Sequence, residues 1–330
     1  MKYFLAFFLF LTILPTSYSK TIKIGFLLST LQEERYQKDK KYFEEEAKAM
    51  GAEVLFYAAN NNEQEQVKKM ENLLTKKVDV IVVQPVNSDA AATLVDLAKE
   101  QKIPVIAYDR IINNAPLAYY ITQNSKEVGR LQAEAAVKAT GGKGNYIIIS
   151  GQAGHSVANA ITEGVMEVLK KYPEVKIVLQ KNHDGWKGQL AMNTVENALT
   201  KYKGQIAAIL ANNSGMANGA VQAVSDFDKK LLGKIFIAGA DADLSSMKNL
   251  ISGGQQFEVL KDIKELASTS ARVAVAVASG QKIMFDTEDI KSGKFIVPVI
   301  NTPVFPVTKE TIDSVVIKRG FHSKKDIYGK

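Results

Sequence analysis

The 330-residue chain contains no cysteine. Disulfides, thiolate-bound zinc and thiol nucleophiles are therefore excluded. So is attachment to a membrane through a lipidated N-terminal cysteine. Histidine is almost as scarce: His155, His183 and His322 lie far apart, and none sits in a metal-ligand spacing. Phosphate-binding glycine loops are missing too. Gly25 stands alone after the first apolar segment, so no Gly-x-Gly-x-x-Gly opens the first helix. Gly141-Gly142-Lys143-Gly144 has neither the spacing nor the hydroxyl residue of a P-loop. Gly154-His155-Ser156-Val157-Ala158 imitates a nucleophile elbow but ends in alanine. Asp226-x-Asp228 and Asp241-x-Asp243 do not continue into a calcium loop. Together these absences leave no cofactor, no metal and no catalytic residue to expect. After residue 19 no apolar run is long enough to span a bilayer.

What is present is the composition of a folded protein, with 46% hydrophobic and 23% charged residues. The length suits two domains better than one core. The net charge of +7 comes from scattered lysines, which read as a solvated basic surface rather than a nucleic-acid footprint. The N-terminus has a positive start at Lys2 and an uncharged apolar run over residues 3–15. Ser17 and Ser19 then supply small residues before Lys20. This is the pattern of a secretory signal peptide over residues 1–19, cleaved near Ser19-Lys20, and it points to a periplasmic protein.

The body alternates short apolar runs with amphipathic stretches. Strands are expected at 21–28, 53–58, 78–83, 103–107 and 119–122, with helices at 35–50, 63–77 and 89–102, the last capped by Ser88 or Asp89. The pattern starts again with strands at 144–150, 176–180, 206–211 and 234–238 and helices at 159–172, 189–201 and 217–227. A strand at 257–260, a helix at 265–279 and two late strands finish the chain. Repeated strand–helix alternation predicts parallel sheets with helices on both faces. The expected fold is α/β, with two similar doubly wound parallel-sheet lobes.

In such sheets ligands bind beyond the C-terminal strand ends. Polar and aromatic residues gather there: Arg35, Tyr36, Asp109, Arg110, Trp186, Asn213, Asp241 and Lys261. Carboxylates and amides can meet hydroxyls that both donate and accept, and Arg and Lys donate only. Trp and Tyr offer flat apolar faces with a polar edge. That inventory suits a sugar. A plain Asp109–Arg110 ion pair and a packing role for Trp186 are the competing structural readings.

Five motifs carry a resemblance over nearly the whole chain beyond the leader. They are Glu34-Arg35-Tyr36-Gln37-Lys38-Asp39, Ala107-Tyr108-Asp109-Arg110-Ile111-Ile112-Asn113, Asp184-Gly185-Trp186, Asp241-Ala242-Asp243-Leu244 and Gly320-Phe321-His322. With them the chain resembles the periplasmic sugar-binding proteins of ABC importers, of the type I periplasmic binding protein fold, and most closely the D-xylose binders among them. The resemblance implies three crossings between lobes, near 123–126, 258–262 and 299–302. It implies an N-terminal lobe of residues 20–124 and 262–299, and a C-terminal lobe of 125–261 and 300–330. It implies that Arg35, Asp109, Arg110, Asn213, Asp241 and Lys261 hydrogen-bond a monosaccharide, D-xylose or a related aldose, while Tyr36 and Trp186 sandwich its ring. The implied partners are a membrane permease and a chemoreceptor, and the implied state is a monomer.

The chain departs from the xylose binders at several places. Tyr36 stands for Trp, Ser214 for Asp and Ala240 for Gln, and Val157 falls where the family has a ligand-contacting Asn. Asn159 is the candidate to replace that Asn. Two other classes compete. One is a doubly wound enzyme: a dehydrogenase would need the missing nucleotide loop, and a glycosidase would use a carboxylate pair such as Asp109 and Asp241. A sugar-responsive transcription regulator would need a DNA-binding segment where the leader stands. Within the binding reading, the alternative is another small polyol-like ligand whose binder also signals to a chemoreceptor.

Overall fold

The structure is a computed structural model that describes residues 20–329. The expected leader lies outside the described residues. Strands of unbroken apolar residues set the architecture. In chain order the first run is β1 (Lys23–Leu28), α1 (Glu34–Ala49), β2 (Glu53–Ala58), α2 (Glu63–Thr75), β3 (Val80–Val83), α3 (Ala92–Glu100), β4 (Val105–Tyr108) and β5 (Tyr119–Gln123). The second is α4 (Ser125–Thr140), β6 (Gly144–Ser150), α5 (Ser156–Leu169), β7 (Val175–Asn182), α6 (Gly188–Lys201), β8 (Ala208–Ala211), α7 (Ser214–Asp228), β9 (Phe236–Ala240), α8 (Leu244–Ser252) and β10 (Phe257–Lys261). The chain ends with α9 (Ile263–Ser279), β11 (Glu288–Ser292), β12 (Phe295–Thr302), β13 (Val304–Val307) and α10 (Lys324–Tyr328).

Every residue of β3, β4, β8 and β9 is buried. Such runs belong to sheets covered by helices on both faces. Three helices begin with an Asn or Asp whose side chain accepts the backbone N–H of a Glu three residues on: Asn62 for Glu65, Asn124 for Glu127 and Asp262 for Glu265. This is the capping-box spacing, and it fixes the starts of α2, α4 and α9. The cap expected for the third helix is different. The Asn87 side chain takes the N–H groups of Asp89 and Ala90 in a turn, and α3 begins only at Ala92 with no side-chain cap.

The strands form two sheets. The first has the order β11-β12-β5-β4-β3-β1-β2, the second β13-β10-β9-β8-β6-β7. Within both lies the same parallel core order, second strand, first, third, fourth, fifth. The sheets are not wholly parallel: β11 runs antiparallel to β12, and β13 antiparallel to β10. α4 packs on α5 beside the second sheet, and α9 returns to pack on α1 beside the first. The chain therefore passes between sheets after β5, after β10 and after β12. β12 stays paired with β5 as far as Thr302.

The two lobes lie closed on each other with their strand C-termini facing. Ser156 N–H donates to Ser88 Oγ at 3.4 Å, and Ser88 N–H donates to the Gly154 carbonyl at 3.4 Å. Ile111 N–H donates to Ser156 Oγ at 3.2 Å. Ser88 is thus a contact between lobes rather than a helix cap.

Candidate ligand site between the lobes

Between the facing strand ends lies a small, largely closed polar cavity. The first lobe lines it with Glu33, Arg35 and Tyr36, after β1, and with Asp109 and Arg110, after β4. The second contributes Val157, Trp186, Asn213 and Asp241, and Lys261 comes from the end of β10. All eight principal residues read from the sequence meet here. Asn159 does not. It is exposed on α5, about 200° round the helix from Val157 at 3.6 residues per turn.

The cavity wall is held by a buried charge network. Arg35 reaches Asp39 at 3.3 Å, Asp109 at 3.3 Å and, across the lobes, Asp241 at 3.4 Å. Lys261 lies 3.3 Å from Asp241 and 3.9 Å from Asp109. Gln84 donates to the other oxygen of Asp109 at 2.9 Å and accepts from the Ser29 hydroxyl at 2.7 Å. Tyr108 donates to Asp39. Burial works against the charge of Asp109, but Arg35, Lys261 and Arg110 outweigh it and hold the carboxyl at about 2. Arg110 donates to Tyr36 Oη at 2.9 Å, Pro85 O at 3.1 Å and Ser29 Oγ at 3.2 Å. The hydroxyl that Tyr36 adds is thereby bonded.

Three site residues adopt left-handed backbone: Asp109 at φ 60°, Trp186 at φ 56° and Asp241 at φ 93°. Non-glycine residues held there cost of order 1–3 kcal/mol each and cluster at ligand sites. The surroundings enforce them. Tyr120 and Thr122 hydroxyls donate to the Asp109 carbonyl at 3.0 and 2.8 Å. His322 bonds the Ala242 carbonyl at 2.8 Å. Glu258, fully buried, accepts from Ala242 N–H at 3.2 Å, Gln255 at 2.8 Å and Ser214 at 3.1 Å. Gly239 is glycine because a Cβ there would collide with the Glu258 carboxyl. Burial, opposed by the Gln255 bond and aided by Asp241, pushes Glu258 up to about 7. Ser214 therefore supports the Asp241 turn, and neither it nor the buried Ala240 lines the cavity.

His155 and Glu33 were not read as site residues. His155 is buried between the lobes, and Trp186 Nε1–H donates to its Nδ1 at 2.7 Å. Trp186 can only donate, so the His155 proton is on Nε2, 3.5 Å from Arg110 Nη1, and the Val86 backbone of the other lobe also bonds the ring. Burial first, then the Arg110 charge, pushes His155 down to about 2. Trp186 packs where Gly151 leaves room; a Cβ on Gly151 would lie 2.5 Å from the indole. Glu33 lies in the loop between β1 and Arg35, but nothing local in the sequence marks it, because its place in the site is set by Arg110. The Asn213 side-chain oxygen caps α7 by accepting Met216 N–H at 2.9 Å, which leaves its amide N–H₂ for the cavity.

Comparison with known proteins follows the same outline. The periplasmic binding protein domain matches residues 24–282. The D-xylose-binding periplasmic protein of Haemophilus influenzae is 37% identical over 96% of this chain and 96% of its own. That of Escherichia coli is 38% identical over 94% of each. Among solved structures, an ABC transporter solute-binding protein from Clostridium phytofermentans with bound β-D-glucose superposes with a TM-score of 0.85 at 25% identity, covering 92% of this chain and 99% of that one. With two like-wound lobes closed over one small polar cavity, this chain belongs to the periplasmic binding protein domain family.

Proposed function

We propose that the chain is the solute-binding component of a carbohydrate ABC importer, holding D-xylose or a related aldose in the interlobe cavity. The observation that carries this reading is the charge balance of the wall. Three cations, Arg35, Arg110 and Lys261, face the carboxyls of Asp39, Asp109, Asp241 and Glu33. Burial, against the pull of Arg110, Tyr36 and Arg35, pushes Glu33 up to about 7. Glu33 apart, three cations stand against three carboxyls, and burial moves Glu33 toward its neutral form, a balance that favours a neutral polyhydroxyl ligand over an anion or a cation. The close identity to D-xylose-binding proteins supports the pentose.

In this reading Arg35, Asp109, Arg110, Asn213, Asp241 and Lys261 hydrogen-bond the sugar, and Tyr36 and Trp186 flank its ring. The lobes are residues 20–124 with 262–299, and 125–261 with 300–330, and they open and close about the three crossings. The ligand favours closure through contacts with both lobes. The protein works as an exported periplasmic monomer after cleavage near Ser19-Lys20. Its closed face meets the membrane permease and, in a compatible second role, a chemoreceptor. Glycosidase chemistry is not supported. Asp109 is held ionised at about 2 and cannot serve as the acid, and Arg35 and Lys261 both engage Asp241.

The test is calorimetric titration of refolded, sugar-stripped protein with D-xylose, D-ribose, L-arabinose, D-glucose and D-galactose. Saturable one-to-one binding of D-xylose is expected, with a smaller radius of gyration in the sugar-bound form. Absence of binding to all five sugars would sink the reading.

A further inference from the structure

We infer that Glu33 is a ligand-contacting, specificity-determining residue, whose carboxyl bonds a sugar hydroxyl beside one bonded by Arg110 Nε. The inference rests on the monosaccharide reading above. Glu33 lies at the entry to α1, where its carbonyl accepts Tyr36 N–H at 3.2 Å. Its side chain lines the cavity together with Arg110. Most polar atoms of the wall are bonded to one another, but two buried ones have no partner among the described residues: Glu33 Oε1 and Arg110 Nε. Unmet buried polar groups are few in native proteins, and each calls for a reason.

The two orphans are complementary to one chemistry. Arg110 Nε–H can only donate, whereas a carboxylate only accepts. A hydroxyl does both, so one hydroxyl or two neighbouring ones can satisfy the pair. Arg110 is fixed by its bonds to Tyr36, Ser29 and Pro85, so Nε is held in place. Burial keeps Glu33 near neutrality in its titration, at about 7. Its carboxyl can therefore meet a hydroxyl in either protonation state. A ligand lacking that hydroxyl leaves a charged donor and an acceptor buried together, which is how a site discriminates between sugars.

The experiment is a set of calorimetric titrations with the mature wild-type protein, Glu33→Gln and Glu33→Ala. The probes are whichever of the five aldoses the wild type binds and its monodeoxy analogues. Glu33→Ala should weaken the parent sugar by about 10- to 100-fold. Glu33→Gln keeps an acceptor and should lose less. One analogue, lacking the paired hydroxyl, should bind the wild type more weakly yet be indifferent to Glu33→Ala, as a double-mutant cycle requires. If Glu33→Ala binds the parent sugar within about twofold of wild type, the inference is overturned while the monosaccharide reading stands. Equal losses for the parent and every analogue would also overturn it, because they mark a general effect on folding or closure. If the wild type binds no aldose, the underlying reading fails first.

Discussion

The two lobes share one winding but furnish opposite halves of the cavity. Asp109 and Asp241 stand at equivalent places, each just after the fourth strand of its core order and each in left-handed backbone. Their surroundings diverge. The first lobe surrounds Asp109 with the charges of Arg35, Arg110 and Asp39 and with the polar side chains of Gln84 and Ser29 behind them. The second gives Asp241 one cation of its own, Lys261, sets the buried Glu258 under its turn, and furnishes the rest of its wall with Trp186, Asn213 and Val157. The first wall is a charged array of directed donors and acceptors, and the second combines one ion pair and one amide with the apolar faces of Trp186 and Val157. Similar folds can therefore divide recognition, with orientation assigned to one half and exclusion of water to the other.

The sharpest way to break this contrast is Asp109→Asn. Removing that charge leaves Arg35 and Lys261 under-compensated in a buried network, a change that costs about 3–5 kcal/mol. Aldose affinity should drop by at least 100-fold and the melting temperature should fall. Asp241→Asn should cost less by both measures. Equal losses in calorimetry and thermal unfolding would erase the difference between lobes.

Glu258→Gln tests the support under the second aspartate. The Glu258 carboxyl titrates at about 7 against 4.5 for an exposed one, so the native state binds the extra proton between those values. Its contribution to stability is full below about pH 4.5 and is lost as pH rises through about 7, a change of ~3 kcal/mol. The melting temperature of Glu258→Gln, relative to wild type, should therefore rise between about pH 5 and about pH 8. A constant offset would show that burial does not perturb this carboxyl.

Trp186→Phe keeps a ring in the second lobe but leaves His155 Nδ1 without its donor. An unmet buried acceptor costs about 1–3 kcal/mol, so the affinity should fall roughly tenfold at neutral pH. The smallest effect belongs to Asn159→Ala. The side chain is exposed on the far face of α5, so stability should stay within ~0.5 kcal/mol and aldose affinity should not move. A measurable loss of affinity would mean that the loop before α5 is displaced when sugar binds.

Much of this arrangement was legible because strands buried on both faces announce themselves as apolar runs, and the residues after them are the ones a doubly wound sheet presents to a ligand. The main element missed was α4. Its buried face is Ser125, Val128, Gly129, Gln132, Ala133, Ala136 and Val137, too small and too polar to show a hydrophobic period. The reason is close packing: a Cβ on Gly129 would collide with the Ile161 carbonyl of α5. α8 was passed over beside it. α5 and α7 each begin three residues before their expected starts, at Ser156 and Ser214, where a serine opens the first turn. In the site, Glu33 and His155 escaped because their roles depend on contacts with Arg110 and Trp186, 77 and 31 residues away along the chain.

Trp186 is the only tryptophan in the protein. Its indole N–H is bonded to His155 and its side chain lines the cavity. Light absorbed beyond the tyrosine band is therefore absorbed at one place, the place where the lobes meet. The emission of the unmodified protein should report occupancy and closure without a label, and its decay should separate open from closed molecules in a mixture.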